Sequence, residues 1–176
     1  MKTGDWIETF SGLKFYPLDP QPEDICIEDI AHALALQCRY NGHSRVFYSV
    51  AEHSVRMSRL DLPGCPKWRL MHDAAEAYIS DVPSPIKPML RGFKKIEESI
   101  SMIIGKKYSL GIPNHTEIKY ADMVMLAMEK RDILMQGGPQ WRIELPNPLF
   151  KHKIHPWKWQ KAKTEFLLRF IELEIT

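Results

Sequence analysis

The spacing of apolar positions along this chain changes once, near residue 24, and the change divides it into two unequal parts. In "DWIETFSGLKFYPL" apolar and polar residues alternate on either side of Ser11-Gly12, which predicts a small β-hairpin over about residues 5–17. Pro17, Pro20 and Pro22 separate it from the remainder, where the period is helical almost throughout. A first helix over about 27–40 carries Ile27, Ile30, Leu34 and Cys38 on one stripe and stops at Asn41-Gly42. A second opens at Ser49, where "SVAE" is a capping box, and its apolar face of Val50, His53, Met57 and Leu60 ends before Pro63-Gly64. The third, about 66–79, turns Trp68, Met71, His72, Ala75 and Tyr78 inward. Phe93, Ile96, Ile100 and Ile103 mark a fourth over about 93–108. The fifth starts at Asn114, with Glu117 as its box partner, and runs to about Gln136, before Gly137-Gly138-Pro139. A loop rich in Pro and Trp then leads to a last helix with Trp159, Ala162, Phe166 and Phe170 inward. The prediction is an all-α helical bundle with a small N-terminal β-hairpin, one domain over 1–176 with its helical core at about 24–176.

Three polar residues occupy positions where that pattern asks for an aliphatic side chain. His53 lies among Val50, Met57 and Leu60, His72 between Trp68 and Ala75, and Asp122 among Ile118, Met125 and Leu126. A single histidine on an apolar face is ordinarily a hydrogen-bonded core residue. A buried aspartate is rarer, because an unpaired carboxylate at low dielectric costs several kcal/mol and must find a cation or a proton. Taken together with Asp73, which follows His72, these residues have a common solution in one divalent metal ion held by His53, His72, Asp73 and Asp122. Imidazole and carboxylate ligands without sulfur suit Zn²⁺, Co²⁺, Mn²⁺, Fe²⁺ or Mg²⁺. Asp73 points about 100° away from His72 on an ideal helix, so both reach one ion only if it sits at the helix edge. Glu76, one turn after His72, projects toward the same space, and Asp81 follows at the turn. A carboxylate beside a metal-acidified water is a hydrolytic arrangement. Arg39, Arg45 and Lys87 are the cations placed to meet a phosphate, and Tyr40 offers a flat surface for a base.

Composition narrows the picture. With 176 residues, 44% hydrophobic and 26% charged, the chain has the profile of an ordinary globular domain. A net charge of +2 supplies no general pull toward nucleic acid or membrane. Cys26, Cys38 and Cys65 are odd in number and lack a CxxC spacing, which excludes a disulfide framework or a thiolate zinc site and fits a reducing cytosol. The polar, acidic N-terminus is unlike a signal peptide and no apolar run reaches membrane-span length, so a cytoplasmic location is expected. Lys151 to Lys163 interleaves basic and aromatic residues, but its aromatic spacing suits a helix packing inward, and stable nucleic-acid binding is not expected.

The order His53, His72-Asp73, Asp122 resembles the signature of the HD-domain metal-dependent phosphohydrolases. "SVAEHS", "MHDAAEAYISDVPSPIK" and "KYADMV" resemble more closely the bacterial HD-domain 5′-deoxynucleotidases and the phage HD-domain dATP triphosphohydrolases, over about residues 30–136. The resemblance implies that the four ligands hold one divalent metal (Zn, Co, Mn or Mg). It implies that Glu76 and Asp81 handle the attacking water and the leaving oxygen, that Arg39 and Lys87 meet phosphate or sugar, and that Tyr40 stands where a base-stacking aromatic would. It further implies a small-molecule deoxynucleotide substrate and a homo-oligomer, a hexamer among its forms. Two departures stand out: His53 and His72 are only 19 positions apart, and the N-terminal hairpin is an addition. The small size favours a dATP or dNTP triphosphohydrolase releasing deoxynucleoside and triphosphate. The alternatives are a 5′-deoxynucleotidase acting on monophosphates and, in another class, a catalytically silent nucleotide-binding module.

Overall fold

Residues 2–147 and 150–175 are described by a computed structural model, and they form a helical bundle with a two-stranded hairpin at one end. The hairpin pairs β1 (Ile7–Glu8) with β2 (Lys14–Phe15) antiparallel, Ile7 opposite Phe15. Gly12 takes φ +80° in the turn, a conformation a side chain would strain, and its N–H donates to the Thr9 carbonyl. So short a ribbon has little stability of its own, and two anchors dock it. Phe15 is fully buried and stacks on Tyr78 with ring centroids 3.9 Å apart, and Asp29 accepts from both the backbone N–H (2.7 Å) and the hydroxyl (2.8 Å) of Ser11.

The helices are α1 (Ile27–Leu36), α2 (Val50–Arg59), α3 (Pro66–Met71), α4 (Glu76–Ile79), α5 (Phe93–Lys107), α6 (His115–Asp132) and α7 (Trp159–Glu172). Every residue of α2 from Val50 to Ser58 except Arg56 is buried, because α1, α3, α6 and α7 all pack on it. Ala51, Ser54 and Ser58 are the small residues that let neighbours approach this closely. The predicted cap is present at Ser49, whose hydroxyl accepts from the Glu52 N–H at 3.1 Å. The box closes only on that side: the Glu52 carboxylate turns instead to Arg56 (2.8 Å) and the Trp157 N–H (2.7 Å). Asn114 caps α6 in the same way at the Glu117 N–H. Among the described residues no helix is long and apolar enough to cross a membrane.

Three helix boundaries differ from the sequence expectation, and tertiary bonds account for two of them. The first helix ends at Leu36, not Tyr40. Gln37 turns extended, and its carboxamide donates to the Glu76 carbonyl (2.9 Å) and accepts from the Asp81 N–H (3.2 Å). Arg39–Gly42 then forms a 3₁₀ turn in which Tyr40 and Asn41 adopt left-handed backbone, at φ 57° and 49°. The predicted third helix is two pieces, α3 and α4, joined by tight turns in which the N–H groups of Ala74, Glu76, Ala77 and Tyr78 bond three residues back rather than four. Helix α2 ends at Arg59, before Pro63-Gly64 as the sequence predicts. Helix α6 ends at Asp132, not Gln136, where the Asp132 carboxylate accepts the Ile154 N–H at 2.8 Å and the Arg131 guanidinium donates to the carbonyls of Phe150 and His152. The short link between α2 and α3 is held by Arg69, whose guanidinium donates to the carbonyls of Leu60, Leu62, Pro63 and Gly64 at 2.9–3.1 Å. That clasp brings α3 back against α2 within the 19 positions that separate the two histidines.

Candidate functional site

The burial of α2 carries His53 into the interior with none of its side chain exposed, and the end of α3 brings His72 to meet it. The two Nε2 atoms lie 3.3 Å apart. Asp122 on α6 places Oδ1 3.3 Å from His53 Nε2. Asp73, in the turn after α3, places Oδ2 3.1 Å from His72 Nε2 and 3.9 Å from His53 Nε2. The tight winding after Met71 thus delivers adjacent residues to one point.

Each histidine has its other nitrogen occupied. His72 Nδ1 lies 2.9 Å from the Arg69 carbonyl, which can only accept, so Nδ1 carries the proton. His53 Nδ1 donates to Glu129 Oε1 at 2.6 Å. With Nδ1 engaged, a neutral form of either ring would aim a bare Nε2 lone pair at the other ring and at carboxylate oxygens, an arrangement that calls for a cation in the middle, proton or metal. Bonds of about 2.0–2.2 Å from one ion place neighbouring ligand atoms roughly 3.0–3.5 Å apart, the range in which most of these separations fall. His53, His72 and Asp122 could hold a metal ion.

The charges agree with a dication. Asp73, Asp122 and Glu129 surround a single guanidinium, that of Arg39, at 3.4, 4.0 and 3.5 Å, which leaves two negative charges in excess. Burial and the Arg39 charge push the His53 imidazole down, but the carboxylates of Glu129 and Asp122 outweigh them and hold it up at about 9. Burial opposes the charge on Asp73, yet His72, His53 and Arg39 keep its carboxyl below the usual range. Asp122 and Glu129 are held low against burial by the same cations. Positive charge is favoured at this point whether a proton or a metal provides it.

The cluster forms the floor of a cleft of about 630 Å³. Glu76 on its wall is buried; Oε1 lies 3.5 Å from Lys87 Nζ, and Oε2 has no hydrogen-bond partner among the described residues. Burial and the charges of Asp73 and Asp81 push the Glu76 carboxyl well above its usual value, and burial raises Asp81 as well. Lys87 is shared between Glu76 and Glu97, the latter at 2.8 Å. Trp141, Arg142 and Ile143 and the turn Val82–Pro85 also line the cleft.

Arg39, Tyr40, Asp73, Glu76, Asp81, Lys87 and Asp122 all line this one cleft, with His53 and His72 beside it. Two of them are placed differently from the sequence expectation. Arg39 sits among the carboxylates beneath the cleft, and Tyr40 donates its hydroxyl to Glu129 while its ring lies beside the Arg39 guanidinium. Arg45 is not in the cleft; it donates to the Asp132 carbonyl at 2.6 Å. Sequence reasoning missed Glu129, although it stands seven residues after Asp122 and so shares its helix face. It also missed Trp141 and Arg142, which lie in a loop where no periodicity marks a direction.

No family model matches the chain. Over 138 residues it is 44% identical to the uncharacterized protein YfdR of Escherichia coli, a match covering 78% of this chain and 78% of that protein. It is also 34% identical over 142 residues to the uncharacterized protein RCAP_rcc00048 of Rhodobacter capsulatus, covering 73% and 72% of the two chains.

Proposed function

The chain belongs to the family of Escherichia coli YfdR, and for it we propose a metal-dependent phosphohydrolase of the HD type acting on deoxynucleotides. The observation that carries this reading is the pair of Nε2 atoms 3.3 Å apart, both left bare in the neutral rings by their Nδ1 bonds and facing Asp122. Asp73 would complete the ligand set from 3.1 Å beside His72. A divalent ion bound there, Zn²⁺, Co²⁺, Mn²⁺ or Mg²⁺, supplies Lewis acidity toward a phosphoryl oxygen and lowers the pKa of water.

The chain's own groups account for the rest of the chemistry. Water adds to the α-phosphorus, the bond from phosphorus to the sugar oxygen breaks, and that oxygen needs a proton. Glu76 is the donor: it is buried, held at one oxygen by Lys87 and free at the other. Asp81, at the turn after α4, takes the proton the water gives up, which keeps the balance. Lys87 and Arg142 offset phosphate charge, and Trp141 in the cleft lining gives the base a face on which to stack. With Tyr40 tied to Glu129, Trp141 is the cleft aromatic left for that role, the Lys130 ammonium lying over its ring at 4.9 Å from the centroid. Trp141→Ala should raise KM about tenfold and leave kcat nearly unchanged, since base stacking is worth about 1–3 kcal/mol. Steady-state kinetics on the deoxynucleotide that reacts fastest checks this.

The favoured substrate is dATP or another dNTP, with deoxynucleoside and triphosphate as products. One observation speaks for 5′-deoxynucleotidase activity on monophosphates. Lys87 is already shared between two glutamates, which leaves Arg142 as the cleft cation with no ion pair among the described residues, a small supply for a triphosphate. Product analysis with each dNTP and dNMP, with each metal and with chelator, tests both. Deoxyadenosine plus tripolyphosphate from dATP, abolished by chelator, supports the first. Orthophosphate from dNMPs with dNTPs untouched transfers the assignment to the second. No turnover with any metal rejects both and leaves a nucleotide-binding module.

A further inference from the structure

Glu129 is the most deeply buried carboxylate near the cluster, and none of the ligands accounts for its presence there. Its side chain is fully buried in α6, yet it meets three groups from two other segments, two through hydrogen bonds and one as an ion pair. Oε1 accepts from His53 Nδ1 at 2.6 Å, Oε2 accepts the Tyr40 hydroxyl, and Oε2 lies 3.5 Å from Arg39 Nε. Tyr40 holds a left-handed backbone at φ 57°, a costly conformation for a large side chain that persists only where its surroundings enforce it. We propose that Glu129 is a positioning residue: its carboxylate fixes the His53 ring with Nε2 bare toward the cluster and ties the Arg39–Tyr40 wall of the cleft to the same point. The proposal rests on the metal reading above.

A carboxylate suits this task and a carboxamide does not. His53 Nδ1 and the Tyr40 hydroxyl each donate to one Glu129 oxygen, and the Arg39 guanidinium adds a positive charge beside Oε2, so both oxygens accept and the carboxylate charge is matched. In Glu129→Gln one oxygen becomes an NH₂ that faces the Arg39 guanidinium with no charge to offset it, the Tyr40 hydroxyl must turn round to accept, and the charge that orients the imidazole is gone. Loss of such an outer partner costs about 10- to 100-fold in metal affinity.

The test uses the full chain with Co²⁺ alone as probe, its visible absorption reporting both affinity and ligand geometry. Glu129→Gln should weaken Co²⁺ binding about 10- to 100-fold and alter the absorption bands while circular dichroism stays native. Tyr40→Phe, which keeps the His53 arm, should bind Co²⁺ near the wild-type level. Unchanged affinity and bands in Glu129→Gln, or equal weakening in both variants, would overturn the proposal. Should Glu129→Gln fail to fold, ¹⁵N spectra of the wild-type histidines decide. A proton on His53 Nδ1 in the Zn²⁺-loaded chain is expected, and a proton on Nε2 overturns the assignment. If the wild type binds neither ion, the metal reading fails on its own. The same spectra, taken on the metal-free chain in alkaline solution, then still report whether Glu129 sets the tautomer.

Discussion

His72→Ala should lose bound metal and deoxynucleotide turnover together, with kcat/KM down by about a thousandfold or more. The estimate follows from the several kcal/mol of transition-state charge stabilisation a metal contributes, at 1.36 kcal/mol per factor of ten. His72 suits this test better than His53 because it caps α3 at the cleft and is not locked inside α2. Its removal costs one hydrogen bond, to the Arg69 carbonyl at the end of the short α3, so the helical content should persist. Metal content by elemental analysis, circular dichroism and turnover on one preparation check all three statements. Retained nucleotide affinity with no change from the wild type would point to a binding module.

Glu76→Gln is expected to separate chemistry from metal binding. Loss of a positioned proton donor costs about 10²- to 10⁴-fold in kcat, whereas the metal should stay, because Glu76 is not among the ligands. The same variant carries a pH signature in the metal-free chain. Burial, with Asp73 and Asp81 nearby, raises the folded Glu76 carboxyl well above the value it has in the unfolded chain. Between those two values the folded chain keeps a proton that the unfolded chain has lost. The contribution is therefore neutral in acid, and stability falls as pH rises through the window. Glutamine cannot lose that proton, so Glu76→Gln should flatten this part of the decline and be the more stable protein at neutral pH. Denaturant midpoints of the two chains across pH read the difference directly, and parallel curves would refute it.

The contrast between what could and could not be read beforehand follows the range of the interactions. The periodicity of α2, α5 and α7 is set by a continuous apolar stripe, so the existence of all three was legible, the starts of α2 and α5 to within a residue or so, and the Ser49 and Asn114 caps fixed two of the N-termini. The end of α1 was not legible, because Gln37 leaves the helix to bond Glu76 and Asp81, about forty residues away in sequence. The break between α3 and α4 hides in a run of good helix formers, Ala74 to Ala77. His53, His72 and Asp122 stood out because each interrupts an apolar face. Glu129 interrupts one too, but Lys130, Arg131 and Asp132 follow it directly, and within a charged run one more carboxylate does not stand out. Trp141 and Arg142 lay beyond such reasoning, since a loop side chain gets its direction from the surface it crosses.

The exposure of the four cluster side chains is graded: none of His53, 11% of His72, 18% of Asp73 and 38% of Asp122. His53 is anchored in a helix enclosed by four others, while its counterparts face the cleft. An ion in this cluster therefore has a front door and a back wall. It would arrive and leave past Asp122 and Asp73, which line the cleft, without any opening of the bundle, whereas His53 can let go only when α2 itself unravels. Traffic of the metal and traffic of the substrate would then share one entrance, so a nucleotide seated in the cleft would slow the escape of the ion beneath it.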